Sequence, residues 1–272
     1  MRIVSLLPSA TDIVVALGAG GDLVGVSHSC SGEWDHLPKL TSTWIDTKAS
    51  AAQIDRQVST ATRPLYQLDI AMLERLAPDV VISQSLCDVC AVPSGDVREA
   101  VLSLLNAPIL VDLAPSRLAD VPVCFGQVGE AIGRKRAATE LRAKWDATLA
   151  EYDGRHAGTG LRVAFLDWLD PPFIAGHWIP DMLKTLGMTC LLGKSGEPSF
   201  KVGWDEVART APDIVIAACC GLDEAAAKAA AVPLDCPVLF LDGHMHFSRP
   251  SPALLPSIVM LSDAVSEFME LA

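Results

Sequence analysis

Two stretches of the chain repeat one pattern. Leu73–Cys87 reads LERLAPDVVISQSLC and Glu206–Cys220 reads EVARTAPDIVIAACC, with Ala77 and Ala211 lying 134 residues apart. Each begins as the end of a short amphipathic helix, which the Ala-Pro-Asp step stops because the residue before a proline is pushed out of helical geometry. Each continues as a β-branched run suited to a strand buried on both faces, and each ends in cysteine. A second pair, NAPILVDLAPS from Asn106 and DCPVLFLDGHM from Asp235, follows at an offset of 129 residues. Two nearly constant offsets predict one βα architecture used twice, with strands and helices alternating around parallel sheets.

The openings of the halves fit the same scheme. RIVSLLPSATDIVVALGA, from Arg2, reads as a strand, a turn, an N-cap at Ser9 or Thr11 and a helix ending near Gly18. RVAFLDWLDPPFIAGHWIPDMLKTLGM, from Arg162, reads as a strand, a loop and a helix starting around His177. Between the halves, the stretch from Cys124 to Gly158 has no internal proline and is rich in helix formers. About 30 residues of continuous helix would span on the order of 45 Å. The expected class is therefore α/β, two Rossmann-like lobes with parallel sheets joined by one long bridging helix. The boundaries fall at 1–122, 123–157 and 158–272.

Composition narrows the function. Against 33 acidic residues stand 21 basic ones, a formal charge of −12, which repels phosphate backbones and argues against nucleic acid. No stretch reaches the roughly 18 apolar residues of a membrane span. Arg2 is followed by a strand-like run and then Pro8 rather than by a signal-peptide core, so the sequence as it stands points to the cytoplasm. Had an export signal been removed, the compartment would be the periplasm. No phosphate-binding loop or nucleophile elbow is visible, and Gly18, Gly20 and Gly21 follow a helix rather than open one.

The blocks RIVSLLPSATDIVVALGAGGDLVGVSH, LYQLDIAMLERLAPDVVISQ, GHWIPDMLKTLG and DGHMHFSRPSP, in that order along the chain, resemble the helical-backbone substrate-binding proteins of ABC importers, in their cobalamin and ferric-chelate branch. The resemblance implies a non-catalytic receptor that holds a metal-containing ligand between two lobes and delivers it to an ABC permease. It departs from this chain in two respects, the missing export signal and cysteines at loops where importer proteins carry aromatic or polar residues.

In open α/β sheets ligands collect at the C-terminal ends of the strands. Cys30 follows the second strand of the first half, and Cys87 and Cys90, spaced C-x-x-C, follow the third; Cys219 and Cys220 follow the equivalent strand of the second half. Adjacent strand residues point to opposite faces, which selects Cys220 as the outward one. Cys30, Cys87, Cys90 and Cys220 then make a four-thiolate set suited to zinc or to a 4Fe-4S cluster. Two plainer readings stand beside it: inert buried thiols and a Cys87–Cys90 redox pair. The other candidate ligand contacts are His28, Trp44, Tyr66, His177, Trp178 and Arg249, the last suited to a carboxylate. His244 and His246 form an H-x-H pair after the last strand. Two functions follow. One is a binding protein for a cobalamin or iron-chelate ligand, with the thiols as ligands to its metal; the other is a cytoplasmic iron-sulfur protein of redox or catalytic role on the same fold.

Overall fold

The computed structural model describes residues 1–86, 91–222 and 224–271. It divides into two compact units, each with its own sheet. The first comprises Met1–Ala49, Arg56–Pro115 and Asp120–Ala143; the second comprises Ser50–Asp55, Ser116–Ala119 and Lys144–Ala272.

In the first unit β1 (Ile3–Ser5), β2 (Leu23–Val26), β5 (Val80–Gln84) and β6 (Ile109–Leu113) form one parallel sheet in the order β2-β1-β5-β6. Ile3 pairs with Val80, and Val80 with Ile109. The residues of β5 are buried throughout, as expected of a parallel strand covered on both faces. Its helices include α1 (Pro8–Ala16), α4 (Ser94–Ser103) and α5 (Val121–Ala131); α1 and α5 touch each other, and α4 packs on β5 and β6. A separate antiparallel ribbon, β3 (Thr41–Thr43) with β4 (Tyr66–Leu68), pairs Thr41 with Leu68 and Thr43 with Tyr66. Between and after its strands come α2 (Ala51–Ser59) and α3 (Ile70–Leu76), the latter capped by the Asp69 carboxylate accepting from the Met72 N–H at 2.8 Å.

The main segment of the second unit begins within α6 (Lys135–Tyr152). Its sheet runs β10 (Phe200–Lys201), β8 (Pro172–Ile174), β7 (Arg162–Leu169), β11 (Ile214–Ala217), β12 (Val238–Phe240), with β9 (Thr189–Cys190) also paired to β7. The helices are α7 (Ile179–Thr185), α8 (Trp204–Arg209), α9 (Glu224–Lys228), α10 (Gly243–His246) and α11 (Leu254–Leu271). Ala164, Leu166, Ile174, Val207, Val215, Ala217 and Cys219 are fully or almost fully buried in its core.

The two-lobed α/β fold stands, with three differences in detail. The second sheet is mixed, because Asp170–Pro171 turns the chain back so that β8 runs antiparallel to β7. The segment expected as one long helix is two, α5 and α6. Arg134 N–H bonds to Gly129 C=O and Gly133 N–H to Glu130 C=O, a Schellman closure that needs the left-handed backbone Gly133 adopts at φ +69°. Finally, α1 is opened by Pro8 in its first turn after Leu7, with no side-chain cap from Ser9 or Thr11. Ser9 and Thr11 are inside the helix instead, both buried.

Candidate functional site

The first unit places a histidine directly after a parallel strand, and the second carries candidate groups in the turn after the antiparallel β8 and after the parallel β12. In the first unit the β2 strand runs into Ser27-His28-Ser29, and the β3–β4 ribbon brings Thr41 and Tyr66 against it. The His28 Nδ1 lies 2.7 Å from Thr41 Oγ1, and the same hydroxyl accepts from the His28 backbone N–H at 3.0 Å. The imidazole and the Tyr66 ring stand 5.6 Å apart, tilted by 35°. A shallow recess bordered by Leu7, Pro8, His28, Tyr66, Ala91 and Val92 lies here, with an enclosed volume of about 20 Å³, room for about one water. A ligand would therefore rest on the rim rather than inside. Burial lowers the His28 pKa, because the charged imidazolium loses solvation.

Cys30 is close by in sequence but turned inward, 5% exposed and 3.4 Å from the Thr11 hydroxyl. Desolvation raises its thiol pKa, with the Thr11 hydrogen bond opposing. Trp44 stands apart from the recess: its indole donates to Pro64 C=O at 2.9 Å, and the Arg63 guanidinium lies 5.0 Å from its ring centre.

In the second unit, His177 precedes α7 with a left-handed backbone, φ +50°. Its N–H bonds Glu197 C=O at 2.7 Å and its C=O accepts from Gly196 N–H at 3.0 Å, so the 194–197 turn holds the strained residue in place. Its ring stacks on Trp178 at 5.6 Å and 27°, and its Nδ1 is buried with no hydrogen-bond partner among the described residues. Burial lowers its pKa as well. Trp178 is 6% exposed and donates its indole N–H to Phe247 C=O at 2.9 Å, so it belongs to the core and its accessible chemistry passes through His177. Arg249 is half-buried, and its Nη2 donates to His244 Nε2 at 3.1 Å. His244 and His246 sit after β12 on the helical turn α10, capped by Asp242.

The cysteines divide as strand alternation predicts: Cys219 is fully buried and Cys220 exposed. Desolvation pushes the Cys219 thiol up to about 12, with Asp167 adding to the rise. Cys87 and Cys90 lie outside the described residues. Among the described residues no group of three or more histidine, cysteine or acidic side chains is placed to hold a metal ion.

Two residues that the sequence did not single out complete the picture. Thr41 orients His28. Asp167 sits where the β7–β8 pairing slips, Leu166 opposite Ile174 but Trp168 opposite Phe173, an extra residue of the kind that re-aims a side chain. It accepts a short hydrogen bond from Ser199 Oγ, and desolvation raises its carboxyl to about 6 despite that bond. The available signal was a lone acid inside the apolar run RVAFLDWL.

The family described as Periplasmic binding protein matches residues 3–232. Crystal structures with the same fold include the periplasmic heme-binding protein HutB of Vibrio cholerae, at 17% identity and TM-score 0.71 over 97% of this chain and 98% of that one. The vitamin B12 binding protein BtuF of the same organism matches at 17% identity and TM-score 0.66, over 97% and 96%. A possible iron-binding, periplasmic solute-binding protein of Staphylococcus epidermidis matches at 19% and 0.69, over 97% and 98%. No curated relative matches the sequence significantly.

Proposed function

The chain belongs to the periplasmic binding protein family, and on that premise we propose that it binds a small metal-containing chelate, a corrinoid, haem or ferric complex, for transfer to an ABC permease. The observation that carries the reading is the placement of His28 with Tyr66 at the C-terminal end of the parallel strand β2, with His177 stacked on Trp178 in the turn that follows β8 of the second unit. An imidazole beside an aromatic ring suits a flat ligand with a polar edge. Arg249 adds a cation of fixed orientation for a carboxylate. The absorption spectra of cyanocobalamin and ferric haem report binding directly. Titration of each into the protein, and into His28→Ala and His177→Ala, should give a saturable change that both substitutions weaken. Failure of every such chelate to bind would sink the reading.

The cluster reading, zinc or 4Fe-4S on Cys30, Cys87, Cys90 and Cys220, finds less support. Cys30 is 5% exposed with its thiol turned to the Thr11 hydroxyl, whereas Cys220 is exposed, and among the described residues no three metal-ligating side chains come together. The compartment follows the cargo: a receptor that feeds a permease works outside the cytoplasm. Among the described residues no helix is long and apolar enough to cross a membrane.

A further inference from the structure

We infer that His28 meets the ligand as a hydrogen-bond donor, through Nε2–H, to an acceptor oxygen on the ligand's periphery, and does not ligate its metal. The inference rests on the binding function proposed above and follows from counting hydrogens behind the ring.

Thr41 Oγ1 has one hydrogen and two lone pairs. It meets three groups: the His28 backbone N–H at 3.0 Å, the Ser27 hydroxyl at 3.0 Å and His28 Nδ1 at 2.7 Å. The backbone N–H can only donate, so it takes one lone pair. If Nδ1 is the acceptor, Thr41 donates to it, Ser27 donates into the second lone pair, and every hydroxyl hydrogen is used. If Nδ1 carries the proton, it takes the second lone pair itself, and Thr41 must donate to Ser27 Oγ, which also accepts from the Ser29 N–H at 3.3 Å. The Ser27 hydrogen then has no acceptor among the described residues, in a side chain 3% exposed beside a Thr41 that is 5% exposed. A buried donor left unmade costs more than an exposed one. The network therefore selects unprotonated Nδ1 and places the proton on Nε2.

The other side of the ring does not reverse this choice. Ser29 Oγ, 3.3 Å from Nε2, can either give or take a hydrogen. Protonation to imidazolium would put a hydrogen on Nδ1 and orphan Ser27 in the same way, in line with the lowered pKa of His28. Metal ligation through Nε2 needs a lone pair there, hence the proton on Nδ1 and the same orphaned hydroxyl. What the recess offers is a neutral N–H. It fits a carbonyl or carboxylate oxygen at the edge of a chelate lying over the rim, and the metal must find its ligands elsewhere.

Two measurements on the full chain decide this. In the free protein, the ring nitrogens of ¹⁵N-labelled histidine should show a pyridine-type Nδ1 and a protonated, pyrrole-type Nε2 for His28, assigned by the signal lost in His28→Gln. The opposite pattern overturns the inference whatever the ligand. For the bound state, ferric haem and metal-free protoporphyrin serve as probes. His28→Ala should weaken both by the same factor, about fivefold for one hydrogen bond. His28→Gln, whose side-chain amide N–H stands where Nε2–H does, should restore most of the loss. Weakened haem binding with metal-free binding untouched would establish coordination and overturn the inference. If neither porphyrin binds the unaltered protein, haem is lost as the proposed cargo, and the tautomer still decides the role of His28.

Discussion

Asp167 offers a quantitative test of the second unit. Its carboxyl stands at the slipped pairing that ends β7, accepts from Ser199 Oγ, and is raised from its ordinary 3.8 to about 6 because desolvation outweighs that bond. Ser199 also accepts from Gly176 N–H at 3.1 Å, so the carboxyl is tied to the turn that carries His177. The folded state thus holds this proton more tightly than the unfolded chain does. The stabilisation is fully present below about pH 4 and is lost as pH rises through about 6. A rise of about two on the pH scale, at about 1.36 kcal/mol each, amounts to about 3 kcal/mol. Asp167→Asn keeps the shape and an oxygen for Ser199 while removing the charge. It should leave stability nearly unchanged below about pH 4 and increase it by up to about 3 kcal/mol above about pH 7. Urea unfolding followed by circular dichroism across that range reads the difference. A variant no more stable than the parent at neutral pH, or a difference that grows as pH falls, would refute the desolvation argument.

Other consequences are simpler. A Cβ on Gly243 would lie 2.3 Å from Cys219 O and 2.4 Å from Ala218 C and O, all backbone, so Gly243→Ala must displace the end of β11. It should lower stability by about 1–3 kcal/mol, and an unchanged melting temperature would contradict that packing. Alkylation mapped by mass spectrometry should find Cys220 modified in the native protein, with Cys219 and Cys124, both buried and both pushed up to about 12, modified only on unfolding. Equal rates at Cys219 and Cys220 would show that the strand alternation is misjudged. Protein purified without oxygen should carry no stoichiometric iron and acid-labile sulfide; finding both, and losing them in Cys30→Ala, would restore the cluster reading.

Much of this architecture could be read from the chain because its signals are local. The Ala-Pro-Asp steps before β5 and β11 stop a helix and start a buried strand by backbone sterics alone. The split between Cys219 and Cys220 follows from a period of two. The break between α5 and α6 also has a local signal, Gly133 followed by Arg134, Lys135 and Arg136, although helix formers on either side mask it. What could not be read depends on tertiary placement. The antiparallel turn at Asp170–Pro171, the slipped register that exposes Asp167 to Ser199, and the ribbon that carries Thr41 to His28 join residues from distant segments. The same holds for Trp178, whose aromatic character suggested a ligand face, while its indole N–H is bound to Phe247 in the core. Cys30 follows β2 as its place in the sequence implies, but only its neighbours show that the thiol points inward, where burial raises its pKa.

As a receptor for a metal-containing chelate, the protein should keep its ligand through native mass spectrometry after incubation with an equimolar mixture of cyanocobalamin, ferric haem and ferric citrate. One bound chelate per chain is expected, with occupancy reduced in His28→Ala and in His177→Ala. Unliganded protein throughout, or occupancy unaffected by both substitutions, would contradict that role.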